Sequence, residues 1–140
     1  MSGTSVDGPD VERVAGPTPW QESVGSGRAV AAGDFVLVAG TLPPAAGAAA
    51  LGNPYEQARA ALNEAVAALA PFGLGAEAVV RTRLYVSHAR DAEDVGRAHR
   101  EVFDGVRPVT TLLVVSGFAD SRVLVEVELD AYRGAKGAVT

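Results

Sequence analysis

The last apolar run of the chain sets the strongest limit on its fold. Across residues 123–130, Val123, Val125, Val127 and Leu129 alternate with Leu124, Glu126, Glu128 and Asp130. A strand presents alternate side chains to opposite faces. This segment therefore reads as a β-strand with one apolar face and one face carrying three carboxylates. A helix would mix the two sets on every face. The strand belongs to a sheet whose apolar side is covered.

The cover and the remaining strands are legible upstream. Residues 35–39 follow the turn signal Gly33-Asp34 and read as a strand, with 28–30 as a short hairpin partner. Residues 41–52, rich in Pro, Ala and Gly, read as a surface loop, either a lid or a plain connector. Asn53, Pro54 and Glu56 together announce a helix: a cap, a favoured first position and a capping-box partner. Ala58, Leu62, Ala65, Val66 and Leu69 form its inward stripe, and Gly73 terminates the segment. Residues 79–86 form another strand. Asp91 is expected to cap a second helix with Val95, Ala98, Val102 and Phe103 inward. Strands at 110–116 and 123–132, joined by the turn 117–122, complete the order β-β-α-β-α-β-β. Right-handed crossovers place both helices on one face of one sheet, an α+β arrangement.

The 140 residues suit a single domain. Residues 1–19, rich in Gly, Pro, Ser and Asp, read as a flexible arm partly ordered near Trp20, whose indole is expected to anchor packing. The domain spans 20–135, and 136–140 is a tail. Phe35-Val36-Leu37-Val38 and Leu112-Leu113-Val114-Val115 are apolar at successive positions, so they call for cover on both sides. Helices on one face leave the other bare. A bare apolar face predicts a partner, here further copies of the chain, with a pocket where subunits meet.

Composition removes whole classes of chemistry. The chain contains no cysteine, which excludes disulfides, thiolate nucleophiles and Cys-based metal sites. Its two histidines, His88 and His99, lie eleven positions apart, not at the helical spacing of a His-built metal site. A net charge of −5 with scattered arginines argues against nucleic acid. No apolar run reaches the roughly 18 residues of a membrane span. The N-terminal segment lacks signal-peptide features, so a cytoplasmic protein is expected.

Candidate chemistry centres on the carboxylate face of the last strand. A solvated sheet face and a general base at a subunit junction both fit Glu126, Glu128 and Asp130, and spacing does not choose among them. Thr110 and Thr111 offer two hydroxyls for a small polar ligand or serve as ordinary strand formers. Gly40 and Thr41, at a strand end, offer a backbone N–H or a tight turn. His99 is expected to pack beside the second helix's inward stripe, and His88 to be exposed. No nucleophile elbow, P-loop or complete dinucleotide fingerprint occurs.

Five ordered pieces then point one way: residues 33–41, residues 79–86, Ala98-His99-Arg100-Glu101-Val102-Phe103, Arg107-Pro108-Val109-Thr110-Thr111, and Leu124-Val125-Glu126-Val127-Glu128. Together, from about Arg28 to Tyr132, they resemble the Rid (reactive intermediate deaminase, YjgF) family. The resemblance implies a chorismate-mutase-like fold with a mixed sheet and a homotrimer with three intersubunit pockets. It also implies cofactor-free hydrolysis of reactive enamines and imines to ketones and ammonia. The family's water-positioning glutamate matches Glu126, and its strand-end glycine matches Gly40. Its carboxylate-gripping arginine, two residues after the penultimate strand's proline, is here Thr110. Its tyrosine before the first hairpin aligns with Ser26, and its asparagine on the second helix with Gly96. A threonine cannot replace a bidentate, permanently charged fork.

The expected protein is thus an arginine-lacking Rid relative. Glu126 acts as base, while Thr110, Thr111, Gly40, Thr41, Ser26 and Arg28 contact a small molecule. The protein is expected to hydrolyse or isomerise an imine, enamine or related biosynthetic intermediate without the usual amino-acid carboxylate. The rival expectation is a non-catalytic ligand-binding or interaction protein on the same scaffold. A nuclease ranks last.

Overall fold

A computed structural model of the chain describes residues 10–44 and 51–134. The elements run β1 (Val11–Ala15), α1 (Pro19–Val24), β2 (Gly27–Ala32), β3 (Phe35–Thr41), α2 (Pro54–Ala67), β4 (Val79–Val86), α3 (Ala92–Phe103), β5 (Val109–Val114) and β6 (Val125–Tyr132). They form one six-stranded sheet in the order β1-β2-β3-β6-β4-β5. The β4–β5 pair is parallel and the others are antiparallel. The long connection that a parallel pair requires is α3. The result is the expected α+β architecture with a mixed sheet.

The alternation in β6 decides the layering. Val125, Val127, Leu129 and Ala131 are fully buried, and they join Val36, Val38, Leu84 and Val86 on one sheet face. Leu62 and Ala65 of α2 and Val95 and Phe103 of α3 close over that face. Burying a side chain such as Leu62 or Phe103 contributes about 1.5–3 kcal/mol. The start of α2 forms as read: Asn53 Oδ1 accepts from Glu56 N–H at 2.8 Å, and Glu56 Oε1 accepts from Asn53 N–H at 3.1 Å. On the open face, Phe35 (49% exposed), Leu37 and Leu113 stand uncovered beside the carboxylate row.

Three expectations are corrected. Residues 11–15, assigned to a flexible arm, form β1 and pair antiparallel with β2; a short strand had been hidden among glycines and prolines. Trp20, expected to anchor packing, is 68% exposed. In α1 the neighbouring Gln21 takes the buried position, and Trp20 projects outward. Asp91 occupies the position before α3 but makes no capping bond; its buried carboxylate instead sits 3.8 Å from His88 Nδ1. Residues 1–9 of the arm, 45–50 of the expected loop and the tail 136–140 lie outside the described residues.

Candidate functional site

Partners separate the three carboxylates that periodicity could not rank. Glu128 Oε1 accepts from the Tyr85 hydroxyl at 2.6 Å and lies 3.6 Å from Arg83 Nη1. Asp130 lies 3.6 Å from the same guanidinium nitrogen. Glu126, opposite Tyr85 in register, makes no hydrogen bond or ion pair among the described residues. Burial pushes its carboxyl above the usual range, and the nearby Glu128 charge adds to that rise. The phenol of Tyr85 is likewise held above its ordinary value, chiefly because Glu128 accepts its proton in a hydrogen bond.

A defect in the β3–β6 ladder makes room for that carboxylate. Val38 pairs with Leu129 and Thr41 with Val127, so Ala39 and Gly40 together oppose Glu128. Such a bulge bends the strand and re-aims its side chains. A Cβ on Gly40 would collide with the Glu126 carboxylate, meeting its Cδ at 3.1 Å. Thr41 is buried and its hydroxyl donates to the Ala39 carbonyl at 2.8 Å, which fastens the bulge.

Glu126, Gly40, Trp20 and Gln21 line both of two adjoining cavities, of 430 and 540 Å³. Ser26 and Glu128 line the smaller; Arg28, Thr41 and Glu64 line the larger. The short helix α1 sets Trp20 at this junction. Thr18 Oγ1 accepts from Gln21 N–H at 3.2 Å at one end, and Gly25 closes the other with φ of 76°. Arg28 is the extra residue where β1 and β2 slip register. Its Nη2 donates to the Glu64 carbonyl at 2.8 Å and to Glu64 Oε2 at 3.4 Å.

A family model described as endoribonuclease L-PSP matches residues 21–133. The chain belongs to that family. A Mycobacterium tuberculosis member of the YjgF/YER057c/UK114 family shares its fold with a TM-score of 0.78 at 35% identity, over 87% of this chain and 98% of that one. A protein of Streptomyces coelicolor is 60% identical over 126 residues, 89% of this chain and 94% of its own length. A RutC family protein of Pyrococcus horikoshii is 28% identical over 108 residues, 76% of this chain and 85% of its own. The resemblance to the Rid (YjgF) family drawn from five short pieces is therefore established for the chain.

Within this Rid chain, the expected site residues divide into two groups. Gly40, Thr41, Ser26 and Arg28 share the cavities with Glu126. Thr110 does not: its hydroxyl lies 2.8 Å from buried Thr82 and 3.4 Å from His99 Nε2, and it donates to the Pro108 carbonyl at 3.2 Å. Thr82 also meets His99 Nε2 at 2.8 Å. Because Thr82 is buried and in register with Thr110, this cluster belongs to the helix-covered face, opposite the carboxylates. Thr111 pairs in register with Arg83 on edge strand β5, away from both cavities. Partial burial lowers the His99 pKa, so its imidazole is neutral at pH 7. Gly96 faces open space on α3.

Trp20, Tyr85 and Glu64 were absent from the sequence-derived site. The first had a signal in Thr18-Pro19, the start of a capped helix. Tyr85 could have been found by aligning the period-two faces of β4 and β6. Glu64 needed the tertiary fold, since it reaches Arg28 from 36 positions away.

Proposed function

We propose that this protein hydrolyses an imine, or the imine form of an enamine, that lacks the amino-acid carboxylate, with Glu126 as the base. The reaction occurs in a pocket completed by neighbouring copies in a homotrimer. The observation that carries this reading is Glu126 itself: a half-buried carboxylate with a raised pKa and no partner among the described residues, fitted against a glycine where two cavities join. A general base works best when its pKa is drawn toward the working pH.

The steps balance without a cofactor. Glu126 takes a proton from water as the water oxygen attacks the carbon of a protonated C=N group, giving a neutral carbinolamine and a protonated carboxyl. That carboxyl returns the proton to the amine nitrogen. The C–N bond breaks, the carbonyl forms, and the hydroxyl proton leaves with ammonia as ammonium. The unpaired row of apolar side chains on the open face supports cover by further copies. Thr110 and Thr111, remote from Glu126 within one chain, reach a pocket only across such an interface.

A nuclease reading has no comparable support, since the cavities present carboxylates where RNA presents phosphates. The test is a comparison of wild type with Glu126→Gln on an imine generated in situ by oxidation of an amine, alongside sedimentation. Loss of about 100-fold or more in kcat by a folded trimer supports the proposal. Parental turnover by the variant refutes the base. Ligand binding without turnover by wild type would favour a non-catalytic binding protein, and a monomer at micromolar concentration would remove the intersubunit pocket.

A further inference from the structure

Trp20 leaves 68% of its surface exposed, yet α1 is capped at both ends and holds it at the junction of the two cavities. Leu42, Pro43 and Pro44 extend an apolar wall beside it. The charge on the walls is one-sided. Glu64 and Arg28 line the larger cavity, Glu128 the smaller and Glu126 both, so among the lining residues carboxylates outnumber guanidinium groups. The Arg28 guanidinium is held by the carbonyl and carboxylate of Glu64 in α2. Glu128 is engaged by Tyr85 and Arg83. Among the described residues Glu126 is the lining carboxylate without a partner, and Trp20 lines both cavities with it. An aromatic face attracts cations, Trp most strongly, and a carboxylate within the same cavity adds to that attraction.

We infer that this cavity selects a cationic nitrogen compound with a flat apolar body, an arylalkyl iminium or ammonium ion, its ring and charge shared between Trp20 and the Glu126 carboxylate. The inference rests on the assignment of Glu126 as the reacting carboxylate and names the substrate class it serves. Trp20 is the specificity-determining residue. An anionic imine derived from an amino acid is repelled by the same walls.

The chain has one tryptophan, so fluorescence excited at the red edge of the indole band, where tyrosine does not absorb, reports Trp20. The experiment titrates the full chain with benzylammonium, benzyl alcohol and benzoate at constant ionic strength. Benzylammonium is expected to give a saturable change and to bind about tenfold more tightly than the alcohol, with benzoate weakest. Glu126→Gln is expected to narrow the difference between the cation and the alcohol to what the indole alone supplies. In ligand-observed NMR, Trp20→Leu is expected to lose the benzylammonium signal and Trp20→Phe to keep it. Equal affinities, tighter benzoate binding or no saturable response overturns the inference. So does emission that responds to dilution of the protein but to none of the ligands, because the indole is then an intersubunit contact. Cation preference without imine turnover sinks only the proposed hydrolysis. Glu126-dependent turnover without cation preference sinks only the present inference.

Discussion

Replacing Gly40 by alanine tests the fit of Glu126 without touching its chemistry. The backbone of Gly40 does not occupy the left-handed region, so alanine is conformationally acceptable there. The obstacle is the carboxylate, whose Cδ lies 3.1 Å from the new methyl carbon and whose nearer oxygen overlaps it. Ordinary contact begins at 3.4 Å. The carboxylate must therefore swing by roughly 1 Å, a displacement that can reduce catalysis about 100-fold, or about 2.7 kcal/mol of transition-state stabilisation. Folding should barely notice. An off-rotamer glutamate costs about 0.5–1.5 kcal/mol, offset by about 0.4–1 kcal/mol from the stiffer unfolded chain. The assay pairs imine-hydrolysis kinetics with thermal unfolding. The expected result is a kcat loss near 100-fold with Tm within about 5 °C of wild type. Full activity, or a large fall in Tm, would refute the claim that Gly40 is there to admit the working carboxylate.

Other consequences are open to the same kind of measurement. Gln57 is buried, donates to the Gly52 and Arg122 carbonyls and accepts from Leu124 N–H at 2.8 Å. Gln57→Leu should lower unfolding free energy by about 1–3 kcal/mol in urea titrations, because it removes three hydrogen bonds made by a buried side chain. The raised folded-state pKa of Glu126 means that its stability contribution is fully present below the unfolded pKa and lost as pH rises through the folded one. Glu126→Gln should therefore raise stability near pH 7 by up to about 1 kcal/mol, discounted for solvent, with the gain vanishing in acid. For His99 the folded pKa is lowered by burial, so stability is retained above the unfolded pKa and lost as pH falls through the folded value. The decline should not exceed about 1.4 kcal/mol per pH unit and should be absent from His99→Gln.

What the sequence revealed follows from what local patterning can encode. Strand β6 and the α2 capping box were legible because each is a repeat or spacing within a few residues. Strand β1 was missed because Val11–Ala15 is short and edge-placed, and its pairing with β2 is a tertiary fact. Trp20 was misplaced because burial of a large aromatic is a tendency of the residue type, whereas α1 buries Gln21 instead. Of the site, Glu126 and Gly40 were found through family resemblance. Their contact depends on a bulge that leaves no mark beyond a glycine inside a strand. Thr110 and Glu126, expected in one intersubunit pocket, lie on opposite sheet faces within a single chain, a separation that only the register discloses.

The pH profile of kcat/KM for an arylalkyl imine, recorded for wild type and Glu126→Gln, bears most directly on the account. A carboxylate that must be ionised, with a pKa raised by burial and Glu128, predicts one rising limb, through an ionisation above the ordinary carboxyl value, before activity falls where the iminium substrate loses its proton. The variant should lose both the rate and that limb. The same profile retained by the variant would contradict the assignment of Glu126 as the base.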